Sequence, residues 1–160
     1  MLKKILSYVL SILLALGVGL FAAYLTRDNM MIYEDIEKPF LAPPAILFPI
    51  VWTVLYILMG VGAAMVWNKR QEDPAAAGDA LRLYAFNLIL NFGWSIIFFN
   101  LRSFFFALVW LILLWVVIFR MIDAFKKVCP IAGYLQIPYL VWVTFAAYLN
   151  ASIWLMNRGM

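Results

Sequence analysis

Five long apolar runs, separated by short polar stretches, set out the chain. They predict helices over about 5–26, 44–67, 83–101, 104–125 and 130–157. At about 1.5 Å rise per residue, runs of this length reach across the hydrocarbon core of a bilayer. The pattern therefore predicts an all-α fold: one integral membrane domain over 1–160, built as a five-transmembrane-helix bundle. The first run resembles a signal peptide in its basic start and apolar middle. It is read as a span instead, because Thr26-Arg27-Asp28 follows where a small-residue cleavage site would stand.

The polar stretches say how the spans connect. Arg27 to Lys38 is polar and leads into a segment with Pro39, Pro43, Pro44 and Pro49, ahead of the apolar run that carries Trp52 and Tyr56. Proline sits well at or before a helix's first turn. The prolines, with Tyr33, Phe40 and Leu41, predict an ordered loop lying over the helix ends. Asn68 to Arg82 is expected to be a solvated loop, marked by Pro74, Gly78 and mixed charges. Arg102-Ser103 is so short a break that the helices on either side must be antiparallel neighbours. Pro138 is expected to kink the last helix or to start its regular part. Ala15, Gly19 and Ala23 recur every four residues, a small-residue stripe that lets another helix approach closely.

Composition strengthens the membrane reading. The 160 residues are 68% hydrophobic and 12% charged, against roughly half and a quarter in a soluble domain. The net charge of +4 comes from residues at the ends of apolar runs rather than from a basic stripe, so no nucleic-acid partner is expected. Five spans put the termini on opposite sides. Lys3, Lys4, Lys69, Arg70, Arg82, Arg120, Lys126 and Lys127 fall on the N-terminal side; Arg27, Lys38, Arg102 and Arg158 fall on the other. That asymmetry predicts a cytoplasmic N-terminus in a cell membrane, with the first loop and the C-terminus outside.

The chain has one cysteine and no histidine. An internal disulfide, a His-ligated metal and an imidazole-based triad are therefore excluded, and neither a metal nor a cofactor is expected. Arg120 and Asp123, one turn apart near a helix end, are expected to pair locally. No carboxylate pair, proton wire or basic ladder lies inside the runs, which speaks against a pump or a proton-coupled transporter.

The remaining candidates are neutral. Trp52 and Tyr56 share a helix face. Asn87, Asn91 and Ser95 form a polar stripe with Trp94 beside it. Tyr139, Trp142 and Ala146 share a face of the last helix. Such residues serve as helix–helix contacts and as an interfacial belt, the role expected for Trp67 and Trp154. Together they also describe an apolar pocket with a few amide and hydroxyl anchors. A flat hydrophobic aromatic ligand would stack on tryptophan there.

The segments EKPFLAPPAILFPIVWTVLYILMG, LNFGWSIIFFN and IPYLVWVTFAAYLNASIWLMN, in that order, resemble the second, third and fifth helices of the TspO/MBR family of tryptophan-rich sensory proteins. The resemblance covers essentially the whole chain. It implies a five-helix bundle, commonly a homodimer, that binds protoporphyrin IX-like tetrapyrroles as ligands, and also synthetic benzodiazepine-site ligands. Carried over by motif, Trp52 and Tyr56, Asn91 and Trp94, and Trp142 and Ala146 would line the pocket; Tyr139, one turn before Trp142, is counted with them from its place on the same face. Tyr33, Pro43 and Pro44 would form its lid. If porphyrin is degraded in light, Trp52 and Trp142 match the tryptophans linked to that chemistry. Leu41 stands where the family often has tryptophan, and Trp94 where a smaller phenylalanine is common. Animal members bind cholesterol, but no basic residue follows Tyr148 closely enough for that motif, so sterol recognition is not expected.

Three functions follow as expectations: a receptor or sensor in tetrapyrrole metabolism or stress response, a light-dependent porphyrin-degrading enzyme, and a transporter of porphyrin-like solutes. The first fits an aromatic pocket without ionisable groups. Ordinary acid–base catalysis has no side chains to carry it. A transporter would be expected to show repeated or broken helix pairs, and the sequence has none.

Overall fold

A computed structural model describes residues 2–158. The elements are α1 (Leu2–Thr26), α2 (Ile32–Asp35), α3 (Leu47–Asn68), α4 (Pro74–Ser95), α5 (Phe104–Val128), α6 (Pro130–Tyr134) and α7 (Ile137–Met156). A 3-10 turn, Arg27–Asn29, extends α1, and a π-helical turn, Ile96–Asn100, extends α4. The described residues contain no strand. Five helical stretches are long and apolar enough to cross a membrane: Leu2–Asn29, Leu47–Asn68, Pro74–Asn100, Phe104–Val128 and Pro130–Met156. The chain is a multi-pass membrane protein, and its outward face is correspondingly greasy. Leu13 and Leu20 on α1 and Ile112 and Phe119 on α5 are more than half exposed, the pattern of side chains that meet acyl chains.

The third span starts nine residues earlier than its apolar run suggests. The segment expected to be a loop up to Arg82 is helical from Pro74, and only Lys69–Asp73 connects α3 to α4. Asp73 is the N-cap: its carboxylate accepts from the Ala76 amide at 3.0 Å, and Pro74 occupies the first turn. A cap, a first-turn proline and three alanines favour a helix whatever the hydropathy. Further along, the last apolar run is two helices rather than one. The backbone breaks at Leu135–Gln136, and Pro138 sits in the first turn of α7, so the proline starts the regular part.

Helix α1 packs on α3 and α4, α4 on α5, and α5 on α6 and α7. The antiparallel α4–α5 pair turns within Leu101–Ser103, where Arg102 takes φ 52°. The small residues of α1 face α3 of the same chain. Ala15 is fully buried and Gly19 lies against the Tyr56 ring, while Gly60 of α3 meets the Ile12 backbone. Small residues let these two backbones close together.

Side-chain bonds fix which ends coincide. Ser7 donates to Asn68 at 3.0 Å at one end. At the other, Asn29 donates to Asn100 at 2.9 Å and Asn157 holds the backbone of Glu37. The two ends of the described chain thus lie at opposite ends of the bundle. Asp123 pairs with Lys127 at 3.4 Å rather than with Arg120 as expected. Lys127 lies one full turn ahead on the same face and in the last turn of α5, where a cation also meets the helix C-terminus.

Candidate functional site

A cavity of about 260 Å³ opens at the end of the bundle that carries the first loop. Its walls come from α1, α3, α4 with its π turn, and α7. On α3, Phe48, Trp52 and Tyr56 follow each other at one-turn spacing and all face it. Asn91, Trp94 and Ser95 come from α4, and Ala146, Leu149 and Asn150 from α7. The π turn widens the helix by one residue per turn, with the Leu101 amide donating to the Ile96 carbonyl. Phe98 and Phe99 of that turn both reach the cavity. None of the lining residues is an Asp, Glu, Lys, Arg, His or Cys.

The aromatic walls brace one another. Trp52 lies 5.6 Å from Tyr56 and 6.1 Å, edge-on, from Tyr139. Trp94 packs on Phe98 at 5.1 Å. Its indole N–H donates to Asn150 Oδ1 at 3.1 Å, and Asn150 Nδ2 in turn donates to the Phe104 carbonyl at 2.8 Å. Each buried polar atom in this wall therefore has a partner, as a lipid-embedded site requires.

At the deep end, four side chains form a hydrogen-bonded chain. Tyr56 donates to Asn91 Oδ1 at 2.8 Å and Asn91 Nδ2 donates to the Tyr139 oxygen at 2.8 Å. Tyr139 donates to Asn87 Oδ1 at 2.7 Å. Asn87 Nδ2 ends the chain on the Tyr84 carbonyl at 3.4 Å. Tyr56 and Asn91 line the cavity, whereas Tyr139 and Asn87 do not.

The first loop covers the opening. Tyr33 is buried, packs edge-on against Phe48 at 5.1 Å and donates to the Pro43 carbonyl at 2.9 Å. Burial, and secondarily the Glu34 carboxylate, push the Tyr33 phenol above its ordinary range, so it keeps the proton it donates. Phe40 and Leu41, expected over the helix ends, instead point outward; Phe40 is fully exposed. The turn that places them outside runs from Pro39 to Ala42, closed by the Ala42 amide on the Pro39 carbonyl.

Of the residues singled out in the sequence, Tyr33, Trp52, Tyr56, Asn91, Trp94 and Ala146 meet at the cavity wall. Pro43 contributes its carbonyl to the Tyr33 latch, and Pro44 is exposed; neither touches the cavity. Trp142 stands one layer back, 5.9 Å from Phe48, with its indole N–H buried and unpaired. The wall formed by α1, including Leu16, Ala22 and Thr26, was not anticipated. The small-residue stripe was the available signal, because it brings α1 against α3 at this height. Trp67 and Trp154 each stack under an arginine near a helix end, Arg70 at 4.0 Å and Arg158 at 4.3 Å, as an interfacial belt would.

Comparison with known proteins agrees in extent. The sequence model of the TspO/MBR family matches residues 11–155. The tryptophan-rich protein TspO of Chlorobaculum tepidum is 40% identical over 97% of this chain and 98% of its own. The human translocator protein is 33% identical over 91% of this chain and 86% of its own. The tryptophan-rich sensory protein of Cereibacter sphaeroides is 34% identical over 78% and 76%. Matched along nearly its whole length, the chain belongs to the TspO/MBR family.

Proposed function

We propose that this protein is a membrane receptor that senses porphyrins, taking a protoporphyrin IX-like tetrapyrrole or a related flat hydrophobic ligand into the cavity. The observation that carries the reading is the wall itself. Trp52 and Trp94 face one uncharged space, with Tyr56 and Asn91 at its deep end. Indoles offer stacking surface to a planar guest, and amides and hydroxyls fix its orientation. The names of the relatives, sensory protein and translocator protein, agree with a membrane role of this kind.

The cavity's 260 Å³ lies just under the about 300–1,000 Å³ usual for drug-sized ligands. A macrocycle would therefore displace the Tyr33 segment as it enters. That coupling of occupancy to the shape of the first loop is how a sensor would report its ligand. The protein would sit in the cell membrane with its N-terminus cytoplasmic and this loop outside, and would work as a homodimer.

Titration with protoporphyrin IX should quench tryptophan fluorescence in a saturable way. Trp52→Phe and Trp94→Phe should each weaken binding several-fold. Unchanged affinity in both variants would remove the assignment of the cavity.

A further inference from the structure

The hydrogen-bonded chain at the deep end of the cavity has a direction. Amide oxygen and nitrogen can exchange places in an asparagine, so direction must be argued from a group that cannot. The Tyr84 backbone carbonyl is such a group, since it only accepts. It sets Asn87 with Nδ2 towards it and Oδ1 towards Tyr139. Tyr139, 1% exposed, must then donate to Asn87, so its oxygen accepts from Asn91 Nδ2. Asn91 Oδ1 is left to accept from Tyr56. Each step follows from the one before, and the phenol proton of Tyr56 ends up committed inside the protein.

From this we infer that Tyr56 meets the ligand only as an acceptor, so at the floor of the cavity it favours molecules that bring an N–H or O–H donor to it. Pyrrole, lactam or indole N–H groups presented at an edge belong to this class; a bare carbonyl or ether does not. Three of the four other cavity hydroxyls are committed in the same sense. Thr26 donates to Ala22, Thr53 to Pro49 and Tyr33 to Pro43, each to a backbone carbonyl. Asn87 does not line the cavity, yet it sets which way Tyr56 points its proton. It is a positioning residue for ligand choice.

The inference deepens the proposed function and rests on the cavity being the ligand site, but its test needs no porphyrin. Carbazole and dibenzofuran share a flat tricyclic shape and differ in one atom, an N–H donor against an oxygen acceptor. Their affinities are measured by calorimetry on the full-length protein in detergent. The wild type should prefer carbazole about fivefold, the effect of one net hydrogen bond. Tyr56→Phe should bring the ratio towards one, because the oxygen that accepts the N–H of the probe is gone.

Asn87→Leu makes the sharper prediction. Without Asn87, the buried Tyr139 hydroxyl has only Asn91 to donate to. Asn91 turns over and donates to the Tyr56 oxygen, and the Tyr56 proton is released to the cavity. The preference should then invert towards dibenzofuran. A merely structural role for Asn87 would weaken both probes alike and leave the ratio alone. Equal or tighter binding of dibenzofuran to the wild type, a ratio unmoved in both variants, or no binding of either probe each overturns the inference. If Asn87→Leu does not fold, the wild-type and Tyr56→Phe ratios decide it. Porphyrin failing to bind while the carbazole preference holds would remove the porphyrin reading and keep this one.

Discussion

The Tyr56 ring lies directly against Gly19 of α1, where a Cβ would fall inside its van der Waals surface. The ring cannot swing away freely, since Trp52 packs against it at 5.6 Å and its hydroxyl donates to Asn91. Gly19→Ala should therefore overpack the α1–α3 contact, at about 1–3 kcal/mol. Thermal unfolding in detergent should show the loss, and cavity binding should weaken with it because the floor residue is displaced. An unchanged melting temperature together with unchanged affinity would mean that α1 does not set the Tyr56 position.

Asn150 joins three elements by accepting from Trp94 and donating to Phe104. It is 1% exposed, so the substitution strands the Trp94 indole N–H where water is scarce. Asn150→Leu should destabilise by about 1–3 kcal/mol. It should also free Trp94 to change rotamer, which would appear as a shift in tryptophan emission. Loss of stability without any change in emission would separate the two roles.

Asn157 closes the far end of the first loop, bonding both the amide and the carbonyl of Glu37. Asn157→Ala should release that segment. Hydrogen exchange at the Glu37 amide should speed up about thirtyfold, as expected for losing two bonds of about 1 kcal/mol each. Ligand dissociation should accelerate in parallel if the loop covers the cavity. Faster exchange with an unaltered off-rate would show that the loop does not gate the site.

Trp52 and Trp142 should behave differently. Trp52 is on the wall, so Trp52→Phe removes stacking surface from the ligand. Trp142 supports Phe48 from behind, and its unpaired N–H contributes no hydrogen bond to lose. Trp142→Phe should therefore weaken ligand binding less than Trp52→Phe. Equal losses in the two variants would place Trp142 in contact with the ligand.

Binding of an uncharged probe should be flat between about pH 5 and 9. No lining residue is acidic, basic or thiol. The Tyr33 latch depends on a protonated phenol whose pKa is raised by burial and by Glu34. A raised pKa keeps that contribution complete below the ordinary tyrosine value of about 10 and removes it only as pH climbs through the folded value. A carbazole titration curve with an inflection near neutrality would reveal a titrating group that the cavity wall does not contain.

Hydropathy alone determined five spans, their membrane setting and the antiparallel α4–α5 pair, because lipid leaves a long apolar run no stable form but a helix. One-turn spacing also placed Trp52 with Tyr56 and Asn91 with Trp94 on shared faces, since helical periodicity is a local property. The start of α4 escaped that logic: its first turns are held by the Asp73 cap and alanine propensity, which hydropathy does not register. Only the tertiary structure decided that α1 supplies a wall, that Trp142 stands behind Phe48, and that the Tyr84 carbonyl sets the direction of the bonds reaching Tyr56. Those outcomes depend on which faces meet across four helices, and a sequence states the faces of each helix without stating their partners.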